Sequence, residues 1–293
     1  MSYANLFVLT GEGAPPKTPF QPEDAIVRAA WRDASQIDGA LFNEVFWAVK
    51  DCEDPEFVKH GRDEVIGFIS GDFEDPDRLH ADIELWIEND RIEIANTSFV
   101  FIPAGAAHGR VSFKNVKGPI FCTRAWFEQG MPEAEAAEAT AAPGTYSYGT
   151  NVVEKYLRAD GTLPNVPQGF LKLLLWLDGA KLEGAPYMEA VWFCTPKELD
   201  RDEDPHTHEF DEFLACIGSD PDNPGELGGE MHFFIEGEEF VMDKSFILFL
   251  PKGVYHCPLY VEWVDRPFLH FTGGRPSVLN YSGGPTEQRK EPK

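Results

Sequence analysis

Residues 205–213 read PHTHEFDEF, and the spacing of three polar side chains in this stretch decides how the whole sequence is interpreted. His206, His208 and Glu212 stand at positions i, i+2 and i+6. Because successive side chains of an extended strand point to opposite faces, all three are predicted to lie on one face of one strand. Two imidazoles and one carboxylate on the same face supply most of the ligands of a metal site.

A fourth ligand has to come from a neighbouring strand, and His256 is the candidate. It lies in residues 249–259, FLPKGVYHCPL, where a Pro-Lys-Gly turn can bring the chain back toward the first motif. Nitrogen and oxygen ligands suit iron, manganese, nickel, zinc or copper, and the ligand types alone do not choose among these ions. Cys257 is one position out of phase with His256, so it is predicted to point away from the metal and to be structural.

The chain also contains an internal duplication. At a shift of 145 residues one block aligns, and its matched pairs include Trp31 with Trp176 and Glu44 with Glu189. At a shift of 148 residues a second block aligns without gaps, and its matched pairs include His60 with His208, Glu64 with Glu212, Pro103 with Pro251, Gly105 with Gly253 and His108 with His256. Each unit has the size of a small domain. We therefore predict an N-terminal domain at 1–130, a linker at 131–146 and a C-terminal domain at 147–293.

The N-terminal half carries three of the four candidate ligands. These are His60, Glu64 and His108, whereas Val58 stands where the other half has His206. Two histidines and one carboxylate can still hold iron or a similar ion as a facial triad with open positions. The alternative is a degenerate barrel that kept these polar residues for hydrogen bonds. The N-terminal half is therefore a possible second metal site, and the complete set in the C-terminal half is preferred.

Strand signals dominate both halves. Short apolar runs such as EVFWAV, DEVIGFI and SFVFIP recur between Gly, Pro, Asp and Asn, and the second half repeats them as EAVWFC, DEFLACI and SFILFLP. The runs AIVRAAW (25–31) and FLKLLLWL (170–177) are ambiguous, but their matched positions and short length favour buried strands. The Ala/Glu-rich stretch at 132–143 is predicted to be a short helix or a linker. Many short strands at regular spacing are typical of a sandwich or barrel, and the jelly roll is a common form.

Composition excludes several classes of partner. The chain has 293 residues with 25 Lys+Arg and 50 Asp+Glu, a net charge of −25, which argues against binding nucleic acid or an anionic membrane surface. It lacks an apolar run long enough for a transmembrane helix, and its first residues do not form a secretory signal. Five scattered cysteines without a CxxC pair indicate reduced thiols, so a cytoplasmic location is expected.

The two motifs resemble those of the cupin superfamily, in which HxHxxxE is followed later by PxGxxH. In this chain they are His206-Thr-His208-x3-Glu212 and Pro251-Lys-Gly253-x2-His256. The resemblance covers residues 22–127 and 167–273, so the sequence is identified as a bicupin. It implies an all-β fold of two tandem jelly-roll β-barrels related by internal duplication, with the metal inside the barrel. The glycine that opens the family's second motif is replaced by Thr97 and Ser245, and no subfamily is assigned.

The resemblance also implies a function. Bicupins with this ligand set resemble oxalate-active enzymes and flavonol or phenol dioxygenases, so the leading expectation is a metal-dependent oxidoreductase of dioxygenase type acting on a small organic substrate. Its cofactor would be a divalent transition metal, namely iron, manganese, nickel or zinc. Glu212 is the candidate catalytic residue, because in some related enzymes this carboxylate also shuttles a proton. The alternatives are a lyase or isomerase that uses the same ion, and a binding or storage bicupin without turnover.

Three further residues are candidates for substrate binding. Tyr260 has the same strand parity as His256 and is predicted to lie on the same barrel face. Phe249 lies near the strand of His256 and could line the pocket, although core packing is its default. His270 aligns with Cys122 at the shift of 148 and could orient a ligand or substrate, or be a packed core histidine.

The exposed sheet edges of the predicted fold favour an oligomer. Jelly-roll barrels expose sheet edges and aromatic faces that commonly pair, so a homo-oligomer is expected. The N-terminal run LFVL, residues 6–9, is a candidate to cover or exchange such an edge.

Overall fold

The computed structural model of this protein describes residues 3–12, 19–129, 134–164, 169–196 and 205–277, and nearly all of its regular structure is β-strand. Helical structure in these ranges is limited to the short 3₁₀ turns Tyr3–Leu6, Glu23–Ala25 and Tyr148–Asn151. Within the same ranges, no helix has the length and apolar character that a membrane crossing requires. The prediction of an all-β protein is confirmed.

The strands follow the pattern that the sequence predicts in both halves. Those up to residue 153 are β1 (Phe7–Leu9), β2 (Ile26–Arg32), β3 (Leu41–Ala48), β4 (Cys52–Lys59), β5 (Glu64–Ser70), β6 (Arg78–Ile87), β7 (Asp90–Asn96), β8 (Ser98–Ile102), β9 (His108–Lys114), β10 (Ile120–Gln129), β11 (Glu135–Ala136) and β12 (Val152–Val153). Those that follow are β13 (Leu171–Leu177), β14 (Tyr187–Phe193), β15 (Glu212–Gly218), β16 (Glu226–Ile235), β17 (Glu238–Lys244), β18 (Phe246–Leu250), β19 (His256–Val264) and β20 (Phe268–Gly274). The two ambiguous runs form β2 and β13, as expected.

Each half folds into two sheets. In the first half they have the orders β12-β8-β5-β10-β3-β2 and β11-β4-β9-β6-β7, and in the second β1-β18-β15-β20-β14-β13 and β17-β16-β19. Side chains from both sheets of the first half, such as Phe46, Ile83 and Phe113, share one buried apolar cluster. Each half is thus a jelly-roll barrel, and the prediction of two tandem barrels is confirmed.

The barrels exchange edge strands. Strand β1, at the start of the chain, pairs with β18 of the second barrel, with Phe7 opposite Leu248. Strand β12, which lies between the halves in sequence, pairs with β8 of the first barrel, with Val152 opposite Val100. The expectation that LFVL covers a sheet edge is confirmed, and the exchange ties the two barrels together.

An apolar layer fills the space between the barrels. The rings of Phe121 and Phe271 lie 5.9 Å apart, and those of Phe127 and Phe213 lie 5.8 Å apart. These contacts join β10 of the first barrel to β15 and β20 of the second, so the two six-stranded sheets pack on one another. The outward face of each of these sheets is therefore as buried as its inward face.

The Ala/Glu-rich stretch is not helical where it is described, from residue 134 onward. Its only regular structure is β11, which pairs with β4. Further along, the backbone N–H groups of Thr140 and Ala141 donate to the Glu88 carboxylate at 2.6 and 3.0 Å. The short-helix alternative is therefore wrong for residues 134–143, and this stretch lies against the first barrel.

Candidate metal centres

The candidate ligands of the C-terminal barrel converge at the start of β15. His208, Glu212 and His256 are all buried, and each offers one ligand atom within 4.8 Å of the other two. The Nε2 atoms of His208 and His256 lie 3.3 and 3.4 Å from Oε2 of Glu212. The site thus places two predicted imidazole ligands beside the carboxylate oxygen of the third ligand.

His206 joins the cluster through the backbone. It pairs with His256 in an isolated antiparallel bridge, in which each N–H donates to the other's carbonyl at 2.9 and 3.0 Å. Its ring centroid lies 4.6 Å from that of His256 and 4.8 Å from that of His208. His206, His256 and Cys257 also form a group whose ligand atoms lie within 4.8 Å of one another. Two triads therefore share His256.

His206, His208 and Glu212 do not lie on one strand, contrary to the sequence expectation. Only Glu212 belongs to β15, whereas the chain bends between His208 and Glu212. The side chains meet because this bend, and not strand alternation, turns them inward.

Cys257 lies close to two candidate ligands, whereas the sequence predicts that it points away from them. Cys257 has a left-handed backbone with φ of 72°, and the β16–β19 ladder shifts register between the pairs Phe233/Leu259 and Ile235/His256. Such a bulge inserts a residue and changes which side chains share a face. As a result the thiol lies with the imidazoles of His206 and His256 instead of opposite them.

The Pro-x-Gly turn orients the ring of His256 so that its Nε2 faces the other candidate ligands. The N–H of Gly253 donates to the carbonyl of His208 at 2.9 Å, and the φ of 78° at this position favours glycine. Nδ1 of His256 lies 2.9 Å from the carbonyl oxygen of Val254. Since a carbonyl only accepts, Nδ1 carries the proton and Nε2 keeps its lone pair for a metal.

Glu212 is ionised in this environment. Burial alone would raise its pKa, but the imidazoles of His208 and His256 beside the carboxylate outweigh burial and hold the pKa well below the usual range of a glutamate. The hydroxyl of Thr272 lies 3.0 Å from Oε1 of Glu212 and 2.7 Å from the carbonyl oxygen of Phe213. The carboxylate thus offers Oε2 to the imidazoles, while a neutral hydroxyl contacts Oε1.

The N-terminal barrel repeats this geometry with three ligands. His60, Glu64 and His108 are buried, with ligand atoms within 4.8 Å of one another. Nε2 of His60 lies 3.0 Å and Nε2 of His108 lies 2.9 Å from Oε2 of Glu64. Nδ1 of His108 lies 2.9 Å from the carbonyl of Ala106, so it presents Nε2 as His256 does. Val58 stands opposite His108 in the β4–β9 ladder, which is the relation of His206 to His256.

Two buried nitrogens of this N-terminal cluster lack a hydrogen bond. Nε2 of His108 has no hydrogen-bonding geometry despite its short distance to Glu64, and Nδ1 of His60 also has no partner. Buried polar atoms are rarely left unpaired, whereas ligands grouped around a cation need not bond one another. Two imidazoles and an ionised carboxylate in each cluster fit a divalent ion of the iron-to-zinc series.

Arg124 distinguishes the N-terminal cluster. Its Nε donates to Oε1 of Glu64 at 2.7 Å, and its Nη1 lies 3.9 Å from Oε2 of Glu44. Burial would raise the pKa of Glu64, but Arg124 and the two imidazoles hold it well below its usual range. At the shift of 148, Arg124 corresponds to Thr272. Neither residue stands out in the sequence, because a position that differs between the halves gives no signal in the alignment.

A small cavity opens beside the N-terminal cluster. It has a volume of about 70 Å³, and His108, Arg124 and Asp54 contribute its polar wall. The rest of its wall is largely apolar and includes Phe20, Phe46, Val58, Ile66, Phe68, Val111 and Phe113. A few non-hydrogen atoms of a small ligand fit such a volume.

Two of the predicted substrate-binding residues face away from the C-terminal cluster. Phe249 lies opposite Phe213 in the β15–β18 ladder and contacts Arg32 of the first barrel, so it belongs to the layer between the barrels. Tyr260 hydrogen-bonds His232 and Glu239 on the outer surface. The bulge that brings Cys257 inward also turns Tyr260 outward, so the expected shared face with His256 is wrong.

His270 does face the barrel interior. It lies opposite Cys216 in the β15–β20 ladder, and its Nδ1 is 3.1 Å from the carbonyl of Ala215 and 3.6 Å from Sγ of Cys216. Burial lowers the pKa of His270 to about 4, so the ring is neutral. It shares a strand face with Thr272, two residues away, and its part in substrate binding stays a prediction.

Comparisons with known proteins support the fold. No family model matches the chain, and no curated protein matches its sequence. A mutant of oxalate decarboxylase OxdC from Bacillus subtilis is similar over 84% of this chain and 72% of that chain, with 12% identity and a TM-score of 0.52. AerE from Microcystis aeruginosa matches with 14% identity over 80% and 87% and a TM-score of 0.46. A cupin 2 conserved barrel domain protein from Leptotrichia buccalis matches with 16% identity over 80% and 83% and a TM-score of 0.38.

Proposed function

We propose that this protein of cupin-superfamily fold is a metal-dependent enzyme whose reaction takes place in the C-terminal barrel. The observation that carries the proposal is the convergence of the buried groups of His208, Glu212 and His256 within 4.8 Å, with His206 beside them. A bound divalent ion, namely iron, manganese, nickel or zinc, would supply Lewis-acid or one-electron chemistry at a coordination position left open for the substrate.

The protein's own groups prepare this centre. The hydrogen bond of His256 to the Val254 carbonyl fixes its tautomer, which removes the need to deprotonate the ring when metal binds. Glu212 is ionised at neutral pH, so it enters the reaction as a proton acceptor and not as a donor. We assign Oε1 of Glu212, beside the Thr272 hydroxyl, as the atom that holds a substrate proton.

The reaction class that we propose first is an oxidation of dioxygenase type on a small organic molecule. Three imidazoles and one carboxylate would hold the ion and would leave it able to bind a small substrate and supply Lewis-acid or redox chemistry. The second candidate is a lyase, which the two-barrel likeness to a protein named oxalate decarboxylase favours. A bicupin that binds a small molecule without turnover is the remaining alternative.

Metal analysis combined with gas measurements tests the proposal. The purified protein should carry at least one transition-metal equivalent per chain, and His208→Ala should remove it. Oxygen consumption with small phenols or flavonols supports the dioxygenase, whereas carbon dioxide release from oxalate that continues under anoxia supports the lyase. If chelation leaves both the thermal midpoint and ligand affinity unchanged, the ion is not central and the non-catalytic alternative is favoured.

The free cysteines and the fold also support a proposal for the cellular location and the oligomeric state of the protein. The cysteines are all free, namely Cys52, Cys122, Cys194, Cys216 and Cys257, and we propose a reducing, cytoplasmic environment. We also propose that the protein is a homo-oligomer, which light scattering coupled to size-exclusion chromatography checks directly. Its partners would include neither nucleic acid nor a membrane surface.

A further inference from the structure

Arg32 is a buried cation without an anionic partner. It ends β2 with 0% of its surface exposed, and no carboxylate in the described part of the chain lies within ion-pair distance of it. Its Nε donates to the carbonyl of Leu41 at 3.3 Å, and its Nη2 donates to Oδ1 of Asn43. Burial lowers the pKa of Arg32 to about 9, and no neighbouring charge offsets this effect. The guanidinium is still charged at neutral pH.

Two donors at this position have no acceptor. They are Nη1 of Arg32 and Nδ2 of Asn43, both fully buried and both without a hydrogen-bond partner. The two residues lie opposite each other in the β2–β3 ladder, so the unpaired groups are neighbours on one face of the sheet. A single unsatisfied buried donor is unusual, and two adjacent ones beside a net charge indicate that something accepts from both.

The two donors face the layer between the barrels. Arg32 and Asn43 share their sheet face with Ala30 and Val45, which belong to the apolar cluster that joins the barrels. On the opposite side, the ring of Phe249 lies 5.6 Å from Cζ of Arg32. An aromatic face attracts a guanidinium, but it carries no full charge and does not accept two further N–H groups.

The duplicated half shows that this place in the fold does not require polar residues. At the shift of 145, Leu177 and Met188 correspond to Arg32 and Asn43. They also pair directly, in the β13–β14 ladder, and both are 0% exposed. Apolar replacements of buried ionic groups are often at least as stable as the ionic groups themselves. The polar pair on one side of the pseudo-symmetric interface therefore points to a ligand, since packing alone is met by Leu and Met.

We infer that a small inorganic anion of about the size of chloride binds between the two barrels, where it accepts hydrogen bonds from Nη1 of Arg32 and Nδ2 of Asn43. One negative charge neutralises the guanidinium, and one spherical acceptor satisfies both donors. An ordered water would accept from both donors but would leave the charge uncompensated.

Thermal stability in different anions tests this site. The probes are sodium chloride and sodium gluconate at equal ionic strength, on the full chain and on the double variant Arg32→Leu with Asn43→Met, which copies the other half. We expect chloride to raise the midpoint of the wild type saturably, by about 3 °C or more, and to have no such effect on the double variant. Arg91→Leu, which removes a half-exposed arginine from the surface, is the control and should respond as the wild type does.

A diffraction experiment covers the case in which the double variant does not fold. In wild-type crystals soaked in sodium bromide, we expect an anomalous peak in contact with Nη1 of Arg32 and Nδ2 of Asn43. Density for a water with no bromide exchange would overturn the inference. Equal chloride responses in the wild type, the surface control and the double variant would also overturn it, because a general salt effect explains that result.

Discussion

The two barrels hold the same three-residue cluster but surround it with different charges. His60, Glu64 and His108 match His208, Glu212 and His256 in burial, in distance and in the turn that orients the last histidine. The N-terminal carboxylate faces Arg124, whereas the C-terminal carboxylate faces Thr272 and has His206 nearby. Duplication thus kept the geometry of the cluster and changed its electrostatics.

A second pair of carboxyl groups extends the contrast. Glu44 forms an ion pair with Arg28 at 2.7 Å and lies near Arg124. Its counterpart Glu189 instead accepts a hydrogen bond from the hydroxyl of Tyr156 at 2.8 Å, and burial raises the pKa of Glu189. In the N-terminal barrel, protein cations already balance the carboxylates near the cluster. Among the residues that the structure describes, no arginine pairs with the oxygens of Glu212, so an added cation has more to neutralise there.

Removal of one histidine ligand from each site in turn should give the largest effect, a difference in metal content and turnover between the two variants. His208→Ala should abolish the C-terminal metal equivalent and lower turnover by about 100-fold or more, since even groups that only orient the metal ligands contribute about 10- to 100-fold. The matched variant His60→Ala should leave turnover within about twofold. Metal per chain and steady-state rates check both. Loss of activity in His60→Ala alone would move the reaction to the first barrel.

Arg124 and Thr272 occupy equivalent positions beside Glu64 and Glu212, and exchanging them should exchange the difference in metal affinity between the two sites. Thr272→Arg would place a guanidinium next to Oε1 of Glu212 and should weaken metal binding by about 100-fold, because unit charges about 6 Å apart interact by about 2.8 kcal/mol near a protein surface. Arg124→Thr should strengthen binding in the first barrel. Competition with a fluorescent chelator measures both affinities. Unchanged affinity in both variants would show that the neighbouring charge does not distinguish the sites.

Addition of the missing imidazole should make the barrels more alike. Val58 is placed opposite His108 as His206 is placed opposite His256, so Val58→His supplies a fourth ligand without a change of backbone. We expect the affinity of the first barrel for zinc or nickel to rise by about tenfold or more. Val58→Gln, which adds polarity of similar size, is the control. An equal gain in both variants would argue against coordination by the new histidine.

The smallest predicted effect concerns the linker that follows the first barrel. The carboxylate of Glu88 accepts the buried N–H of Ala107 at 2.9 Å and the N–H groups of Thr140 and Ala141. Glu88→Ala should lower the free energy of unfolding by about 1–3 kcal/mol, the usual effect of an unpaired buried donor. Glu138→Ala, on the exposed part of the same segment, should change it by less than about 0.5 kcal/mol. Urea denaturation measures both values, and equal values would show that Glu88 does not hold the linker.

The sequence alone determined the parts of this protein that local order encodes. Short apolar runs at matched positions predict β2 and β13, the internal alignment predicts two barrels, and the spacing in PHTHEFDEF identifies His206, His208 and Glu212 as a group. These features can be predicted because short apolar runs, motif spacing and an internal repeat are all visible in the order of the residues along the chain.

Tertiary structure decided the features that depend on register and on distant strands. A register shift between His256 and Leu259 changes which side chains of β19 share a face with His256, which is why Tyr260 lies outside although it has the same parity. The contacts of Arg124 with Glu64 and of Thr272 with Glu212 join residues 60 positions apart, and β1 pairs across the whole chain. Only folding brings such residues together, so their spacing in the chain carries no trace of the contact.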